Sequence, residues 1–274
     1  MRKKLNRFLK VLIAAIYFFL SRLYSNLCEL MGSKTPRTLV VVTYHAVRPE
    51  QKDKFKRQMS VLVNMGQPTH LGIPLPASGK NNYIAVTFDD AYRSVMENAL
   101  PILISKKIPA TIFVPTGALG QKPTWIKDTQ HPFANETVMT SEEIQKLPSE
   151  LVTIGSHTVT HKRLSSIDTS TFRQELTESK KSLESILGKE IHLISVPYGS
   201  FDISATNLFE EAGYKHVFLN IPGQSISDLE SFIIGRISVD PDDTFLEYRL
   251  KLSGAYQWLP WAIRFKRILL LKNH

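Results

Sequence analysis

Short runs of β-branched and aromatic residues alternate along this chain with segments of helical periodicity, from residue 38 to about residue 240. The runs TLVVVTY, YIAVTF, ATIFV and LVTIG are apolar at almost every position, which is typical of strands buried on both faces of a sheet. Strands that alternate with helices form parallel sheets, because a crossover helix connects each strand to the next. We therefore expect an α/β fold whose sheet is open or closed into a barrel.

Two segments between the strands carry clear helix signals. TSEEIQKL (140–147) begins with a Thr or Ser cap and has acidic residues in its first turn. From Thr169 to Gly188 apolar residues recur at helical spacing, and the glycine is a plausible C-terminal stop. Both segments are predicted to be helices on the outside of the sheet.

Composition limits the class of protein but does not select one. The 274 residues, 43% hydrophobic and 22% charged, suit a globular protein with one large domain or two small ones. Cys28 is the single cysteine, so no intramolecular disulfide can form. The net charge of +9 favours an anionic partner, which can be nucleic acid, lipid headgroups or a phosphorylated substrate. The position of the charges decides among these.

The first 35 residues combine positive charge with a long apolar stretch. Apolar residues recur at helical spacing, at Leu5, Phe8, Leu9, Leu12, Ile13, Ile16, Phe19, Leu20 and Leu23. The uninterrupted run from Val11 to Leu20 is about half of the roughly 20 residues that a spanning helix needs. No small-residue cleavage site follows it. We predict an uncleaved amphipathic helix on a membrane surface, at the cytoplasmic face. The alternatives are a signal anchor that exports the domain and an ordinary docking helix.

Residues 251–274 repeat this pattern as a basic aromatic tail. Trp258, Trp261 and Phe265 stand among leucines and basic residues, as in segments that bind the membrane interface. Two basic, apolar ends indicate a membrane surface as the partner and argue against nucleic acid. Residues 36–250, between the two ends, are predicted to form the folded domain.

Polar residues follow the ends of four predicted strands. His45, the pair Asp89 and Asp90, His157, and the segment Pro197–Gly199 each come directly after an apolar run. In a parallel α/β barrel the catalytic groups lie at the C-terminal ends of the strands. We therefore expect these side chains to converge at one mouth.

Three of these side chains suit a catalytic metal site. GSHTVTH places His157 and His161 four residues apart, so a helical turn or a tight loop can aim both imidazoles at one ion. Asp90, from another strand, would complete three protein ligands and leave positions open for water and substrate. Asp89 beside it can accept a proton. One carboxylate can bind the metal and the other can accept the proton if the turn bends sharply after Asp90. A solvated Asp-Asp turn is the alternative.

Three motifs resemble those of the polysaccharide deacetylase family, the NodB-homology domain of carbohydrate esterase family 4. TFDDAY resembles the family's TFDDG, GSHTVTH fits H-S/T-x-x-H, and SVPYGS resembles R-x-P-Y-G. Order and spacing agree over residues 38–240. TYHAV and ALPILISKKIPATIFV also resemble the branch whose barrel begins with a Tyr-His strand.

The resemblance implies a distorted (β/α)7 barrel and a divalent metal, commonly zinc. The implied activity is hydrolysis of an N-acetyl group from an amino sugar in a polysaccharide or a lipid-linked glycan. Asp90, His157 and His161 would be the metal ligands, and Asp89 the general base. Tyr198 would offer its backbone N–H to the tetrahedral oxyanion.

The chain departs from the family pattern at two positions near the site. Ala91 replaces the glycine after the aspartates, which we expect to be tolerated only at negative φ. Ser195 stands where the family has an arginine that orients the base. Arg236, in GRISV, is our candidate to replace that arginine, and we also group it with Pro197 and Trp125 as residues on the substrate side.

A third departure concerns the general acid. The late L-x-L-H motif, whose histidine protonates the leaving amine, is absent. His45 can act instead, and a buried structural histidine is the alternative. Trp125, in PTWIKDTQHPF, can stack on a sugar ring from a loop over the mouth.

Two other functions remain open at this point. The missing arginine and histidine are compatible with a non-catalytic subunit that binds glycans and retains the metal. The same fold can also remove a formyl group from a lipid-linked amino sugar. Asp89 favours an enzyme, because a binding protein needs no base beside its metal ligand.

Overall fold

Parallel strands form a nearly closed barrel at the centre of the molecule. The computed structural model describes residues 2–32, 38–75, 82–222 and 231–262. The strands are β1 Thr38–Tyr44, β2 Gln67–Pro68, β3 Asn82–Phe88, β4 Ala110–Val114, β5 Val152–Ser156, β6 Leu193–Ser195, β7 His216–Leu219, β8 Ile233–Gly235 and β9 Ile237–Ser238. They follow the order β8-β7-β6-β5-β4-β3-β1-β9, and β2 pairs with the beginning of β3.

One split segment joins the two sides of the barrel. β8 pairs with β7, where Ile233 lies opposite Val217, and β9 pairs with β1, where Ile237 lies opposite Val42. Arg236 lies between the two halves. Counting β8 and β9 as one strand and leaving out the two-residue β2, the described barrel has seven strands. The predicted distorted (β/α)7 barrel is confirmed.

Helices surround the barrel and connect its strands. They are α1 Arg2–Leu30, α2 Lys52–Met65, α3 Leu100–Lys106, α4 Ser141–Gln145, α5 Thr169–Leu187, α6 Thr206–Glu211 and α7 Phe245–Leu252, and a π-helical turn at Val95–Ala99 precedes α3. The Thr140 hydroxyl caps α4 by accepting from Glu143 N at 3.2 Å. Gly188 ends α5 with φ +65°. The predicted N-terminal cap of α4 and the predicted C-terminal glycine of α5 are therefore both confirmed.

Alternate residues of each strand fill two separate cores. Leu39 and Val41 of β1 point into the barrel, whereas Val42 and Tyr44 pack under the surrounding helices. This arrangement explains why the strands are apolar at almost every position. Inside the barrel Phe113 packs against Phe218, with ring centroids 5.3 Å apart, and these rings form the floor beneath the strand ends.

Both predicted terminal segments contact the barrel domain. Ala14 of α1 is fully buried, and α1 packs against α7. The predicted boundary at residue 250 falls inside α7, and buried Ala255 and Tyr256 extend the core beyond it. The predicted boundary at residue 35 and the tail beyond residue 262 lie outside the described residues. By length and composition, Leu5–Leu30 can cross a membrane.

Candidate metal and catalytic site

The residues at the strand ends surround one cavity of about 380 Å³. Its wall is formed by His45, Asp90, Tyr92, Trp125, Ile126, Lys127, Asp128, His131, Phe133, His157, His161, Tyr198 and Asn220. These residues follow β1, β3, β4, β5, β6 and β7, so the cavity opens at the C-terminal end of the barrel. The predicted convergence at one mouth is present.

Asp90, His157 and His161 form a compact buried cluster. Their potential ligand atoms all lie within 4.8 Å of one another. Asp90 Oδ1 is 3.2 Å from His161 Nε2 and 3.6 Å from His157 Nε2. Within the described part of the chain, this oxygen is buried and accepts no hydrogen bond. An unsatisfied buried carboxylate oxygen is costly, and a divalent cation between these three side chains would remove that cost.

The protonation state of His157 also suits a metal ligand. Its Nδ1 lies 2.7 Å from the carbonyl oxygen of Ser195. A carbonyl only accepts, so Nδ1 carries the proton and Nε2 offers its lone pair towards Asp90. Burial lowers the pKa of His157 to about 4. The imidazole is therefore neutral at neutral pH, which is the form that binds metals.

A tight loop, and not a helical turn, places the two histidines. Thr158 and His161 have φ values of +66° and +55°. The Glu175 carboxylate of α5 holds this loop by accepting from Val159 N at 2.8 Å and Thr160 N at 2.9 Å, and it also accepts from the Thr160 hydroxyl. Glu175 thus fixes the loop through charge-assisted hydrogen bonds. No sequence pattern distinguished this residue from any other glutamate in a predicted helix.

We expect Glu175→Ala to lower the affinity for metal about 10- to 100-fold, because the loop between the ligands loses its acceptor. Titration with Zn²⁺ against a competing chelator measures this effect. Glu178→Ala is the matched control, since Glu178 is an exposed glutamate of the same helix that bonds only Gln174 among the described residues. Unchanged affinity in Glu175→Ala would contradict the role of this carboxylate.

Asp89 lies beside the cluster without joining it, and its carboxylate pairs with Arg236. The guanidinium donates to both carboxylate oxygens at 2.8 Å, and both side chains have no exposed surface. Burial opposes ionisation of Asp89, but the guanidinium outweighs it and lowers the pKa of this carboxyl below its ordinary value. Asp89 therefore stays ionised with a defined orientation.

Arg236 lies behind Asp89 and does not line the cavity. Its guanidinium also donates to Ser195 Oγ at 2.7 Å and Asn220 Oδ1 at 2.5 Å, and it lies 5.1 Å from the Phe113 ring centroid. Our grouping of Arg236 with the substrate residues does not match this position, because a fully buried guanidinium cannot reach a substrate. The contact with Ser195 instead puts Arg236 beside the residue that stands where the family has its arginine.

The turn after β3 separates the two carboxylates. Asp90 and Ala91 both have positive φ, +68° and +49°. Our expectation that Ala91 needs negative φ is therefore wrong. Hydrogen bonds on both sides hold the strained backbone, from Asp89 N to Tyr44 O and from Met139 N to Ala91 O, each 2.9 Å. This turn gives the neighbouring carboxylates different partners, Arg236 for Asp89 and the two histidines for Asp90.

The remaining candidates lie around the cluster. Trp125 stacks on His161 with centroids 4.3 Å apart, so one of its faces is covered by a candidate ligand. His45 lines the cavity with its ring stacked on Phe133 at 5.8 Å. Tyr198 adopts φ +59° in the turn after β6, and its ring packs against His161 at 5.0 Å. Pro197 is buried in that turn and is not part of the cavity wall.

Asn220 and Tyr92 also line the cavity and were not predicted as site residues from the sequence. Asn220 follows β7. Its amide oxygen accepts a hydrogen bond from Arg236, and its amide nitrogen donates to Asp89 Oδ2 at 3.4 Å. Tyr92 is fully buried beside the cluster. A polar residue at the end of a strand was the available signal for Asn220.

Comparison with known proteins agrees with the fold and the motifs. A Staphylococcus aureus (strain MRSA252) poly-beta-1,6-N-acetyl-D-glucosamine N-deacetylase is 28% identical over 181 residues, which cover 63% of this chain and 59% of the relative. YxkH of Bacillus subtilis (strain 168) is 24% identical over 220 residues, covering 76% of this chain and 74% of the relative.

Two solved structures share the fold. IcaB from Ammonifex degensii superposes with a TM-score of 0.62 at 24% identity, covering 80% of this chain and 97% of that structure. The Streptococcus pyogenes deacetylase PplD in complex with acetate has a TM-score of 0.63 at 20% identity, covering 80% and 99%. The family model for polysaccharide deacetylases matches residues 77–217, which include all three motifs. With this match and a buried Asp-His-His cluster at the mouth of its barrel, the chain belongs to the polysaccharide deacetylase family.

Proposed function

We propose that this protein is a metal-dependent hydrolase that removes N-acetyl groups from an amino sugar in a polysaccharide or a lipid-linked glycan. One observation carries the proposal: adjacent carboxylates have different partners, since Asp90 faces two histidines and Asp89, beside the same cluster, pairs with a buried arginine. A protein that only binds a metal needs Asp90 and the two histidines, but not the second carboxylate. A held, ionised carboxylate beside a metal cluster is what hydrolysis requires in addition.

The metal would be held by Asp90, His157 and His161, for which we propose zinc because nitrogen and oxygen ligands suit that ion. When bound, a divalent cation polarises an amide carbonyl and lowers the pKa of a water molecule. The three side chains leave the cavity side of the cluster open, as a catalytic site requires.

Asp89 would accept the proton of the attacking water. Its pairing with Arg236 keeps it ionised and prevents the carboxylate from rotating. The backbone N–H of Tyr198, in the turn at the cavity, would donate to the oxyanion. His45 would deliver a proton to the leaving amine nitrogen as the C–N bond breaks and acetate forms.

The proposed substrate class rests on the relatives. The Staphylococcus aureus relative is named for deacetylation of poly-beta-1,6-N-acetyl-D-glucosamine, although this chain spans only 59% of its length. Trp125 is half-buried on the cavity wall beside the cluster and can stack on a sugar ring. An N-acetylglucosamine oligomer is therefore the substrate to test first, with N-formyl and lipid-linked analogues beside it.

We expect purified protein to contain close to one equivalent of metal and to release amine from this oligomer, and a chelator to abolish release until Zn²⁺ is added back. Asp90→Ala should lower metal affinity at least about 100-fold and remove activity with it, because one of three ligands is lost. Elemental analysis and an amine-release assay measure both quantities.

Asp128→Ala is the matched control, since Asp128 is an exposed carboxylate on the cavity wall outside the cluster. It should keep its metal. Bound metal without amine release from any of the three substrates would overturn the proposal and favour the glycan-binding alternative.

A further inference from the structure

Helix α1 binds the barrel domain through one narrow stripe. Ala14 is fully buried in this contact, with Val11 and Ala15 packed beside it. Arg7 Nη2 forms ion pairs with Glu247 at 2.6 Å and Asp243 at 3.0 Å. The helix is therefore docked on the domain and is not a separate tether.

The opposite side of α1 is apolar and exposed. At about 100° per residue, the exposed apolar side chains of α1 lie roughly 100° to 180° around the helix from Ala14. Between 43% and 69% of each residue is accessible to solvent, at Leu5, Phe8, Leu9, Leu12, Ile13, Ile16, Phe19, Leu20, Leu23 and Leu27. We call this set the α1 apolar face. An exposed apolar surface of this extent marks an interaction site.

The direction of α1 relative to the barrel follows from its contacts. Arg7 reaches Asp243, in the segment that follows β9 at the mouth of the barrel. Ser25 lines a groove together with Thr38 and Asn82, the first residues of β1 and β3. From Arg7 to Ser25 the helix is about 27 Å long. It therefore runs along the barrel wall, from the mouth to the opposite end.

This contact is incompatible with a membrane-spanning position. A docked α1 that crossed a bilayer would place the barrel wall at the depth of the hydrocarbon core. The wall includes α2, which packs against α7 and exposes Lys52, Lys54, Lys56 and Arg57. Of these charges Lys54 is paired with Asp242, and several charged side chains at that depth are strongly unfavourable. At a bilayer, the docked helix can therefore bury its apolar face only by lying in the plane of the membrane.

Charge and aromatic residues near the helix favour lipid over a second protein. Lys10 and Arg22 are exposed along the flanks of α1. Phe245 and Leu246, 64% and 56% exposed, begin α7 beside the carboxylate that holds Arg7. Basic flanks with exposed aromatic residues are typical of helices at the surface of anionic bilayers.

We propose that α1 lies in the plane of an anionic lipid bilayer, with its apolar face in the lipid and the barrel resting on its other side. The N-terminal end of α1 and the barrel domain are then on the same side of the membrane. Because α1 follows the barrel wall, the barrel axis is parallel to the surface and the mouth opens along it. This proposal concerns how the protein attaches to the membrane, and it does not depend on the proposed deacetylation.

Co-sedimentation with vesicles of phosphatidylglycerol and phosphatidylcholine tests the lipid contact on the full chain. Leu20→Glu should lower the partition coefficient at least about tenfold, because it places a charge in the apolar face. Ser21→Glu is the matched control: it makes the same charge change one residue along, at an exposed position that faces the groove between α1 and the barrel, and should change partitioning less than about threefold. Equal partitioning of the two variants, or no binding by the wild type, would overturn the proposal.

Protease protection in sealed membrane vesicles tests the orientation. A tag at residue 1 and the barrel domain should be accessible from the same side. A tag and a domain on opposite sides would show a spanning helix and overturn the proposal. If the wild type instead forms a stable dimer in solution and ignores vesicles, the apolar face binds a second copy, which also overturns it.

Discussion

Replacing Asp89 with asparagine is expected to lower amine release at least about 100-fold while metal affinity stays within about threefold of the wild type. Asparagine has nearly the same shape but cannot accept a proton. Asp89 lies outside the metal cluster, because its carboxylate is turned towards Arg236. Amine release from the N-acetylglucosamine oligomer and a chelator-competition titration measure the two quantities on one preparation.

Asp90→Asn is the matched comparison for this experiment, since it makes the same change one residue further along the turn. It should weaken metal binding and activity together, because the Asp90 carboxylate faces both histidines. The contrast between the variants separates the base from the ligand. Full activity of Asp89→Asn would contradict the assignment of the base.

Arg236→Met is expected to lower the free energy of unfolding by about 3–5 kcal/mol, because it leaves Asp89 buried without its partner. Amine release should also fall sharply, as the carboxylate loses its orientation. Arg236→Lys should recover part of the stability but little activity, since an ammonium cannot make the bidentate contact. Chemical denaturation and the amine-release assay report the two effects.

A double substitution separates orientation of the base from stability alone. In Ser195→Arg/Arg236→Ser the guanidinium comes from the position that carries it in the family motif, and Ser195 already contacts Arg236 at 2.7 Å. We expect this variant to regain activity over the Arg236→Ser single variant at unchanged KM. Activity of Arg236→Lys equal to that of the wild type would contradict the positioning role.

Local patterns in the sequence determined the class of fold and the three residues of the cluster. Apolar runs such as ATIFV identify strands buried on both faces, because only a sheet covered on each side makes every position apolar. Polar residues directly after these runs then lie at one end of a parallel barrel. Asp90, His157 and His161 could be named together for this reason, with the family motifs as a second argument.

Contacts between distant parts of the chain were decided by the tertiary structure alone. Arg236 and Asp89 are 147 positions apart, and they meet only because the last strand is split and closes the barrel beside β1. The positive φ of Ala91 and the hold of Glu175 on the histidine loop likewise depend on packing between elements. Helical periodicity shows that α1 has an apolar face, but not that its other side is docked along the barrel. Periodicity and motif spacing describe neighbours along the chain, whereas barrel closure and strand register determine which distant side chains share a buried site.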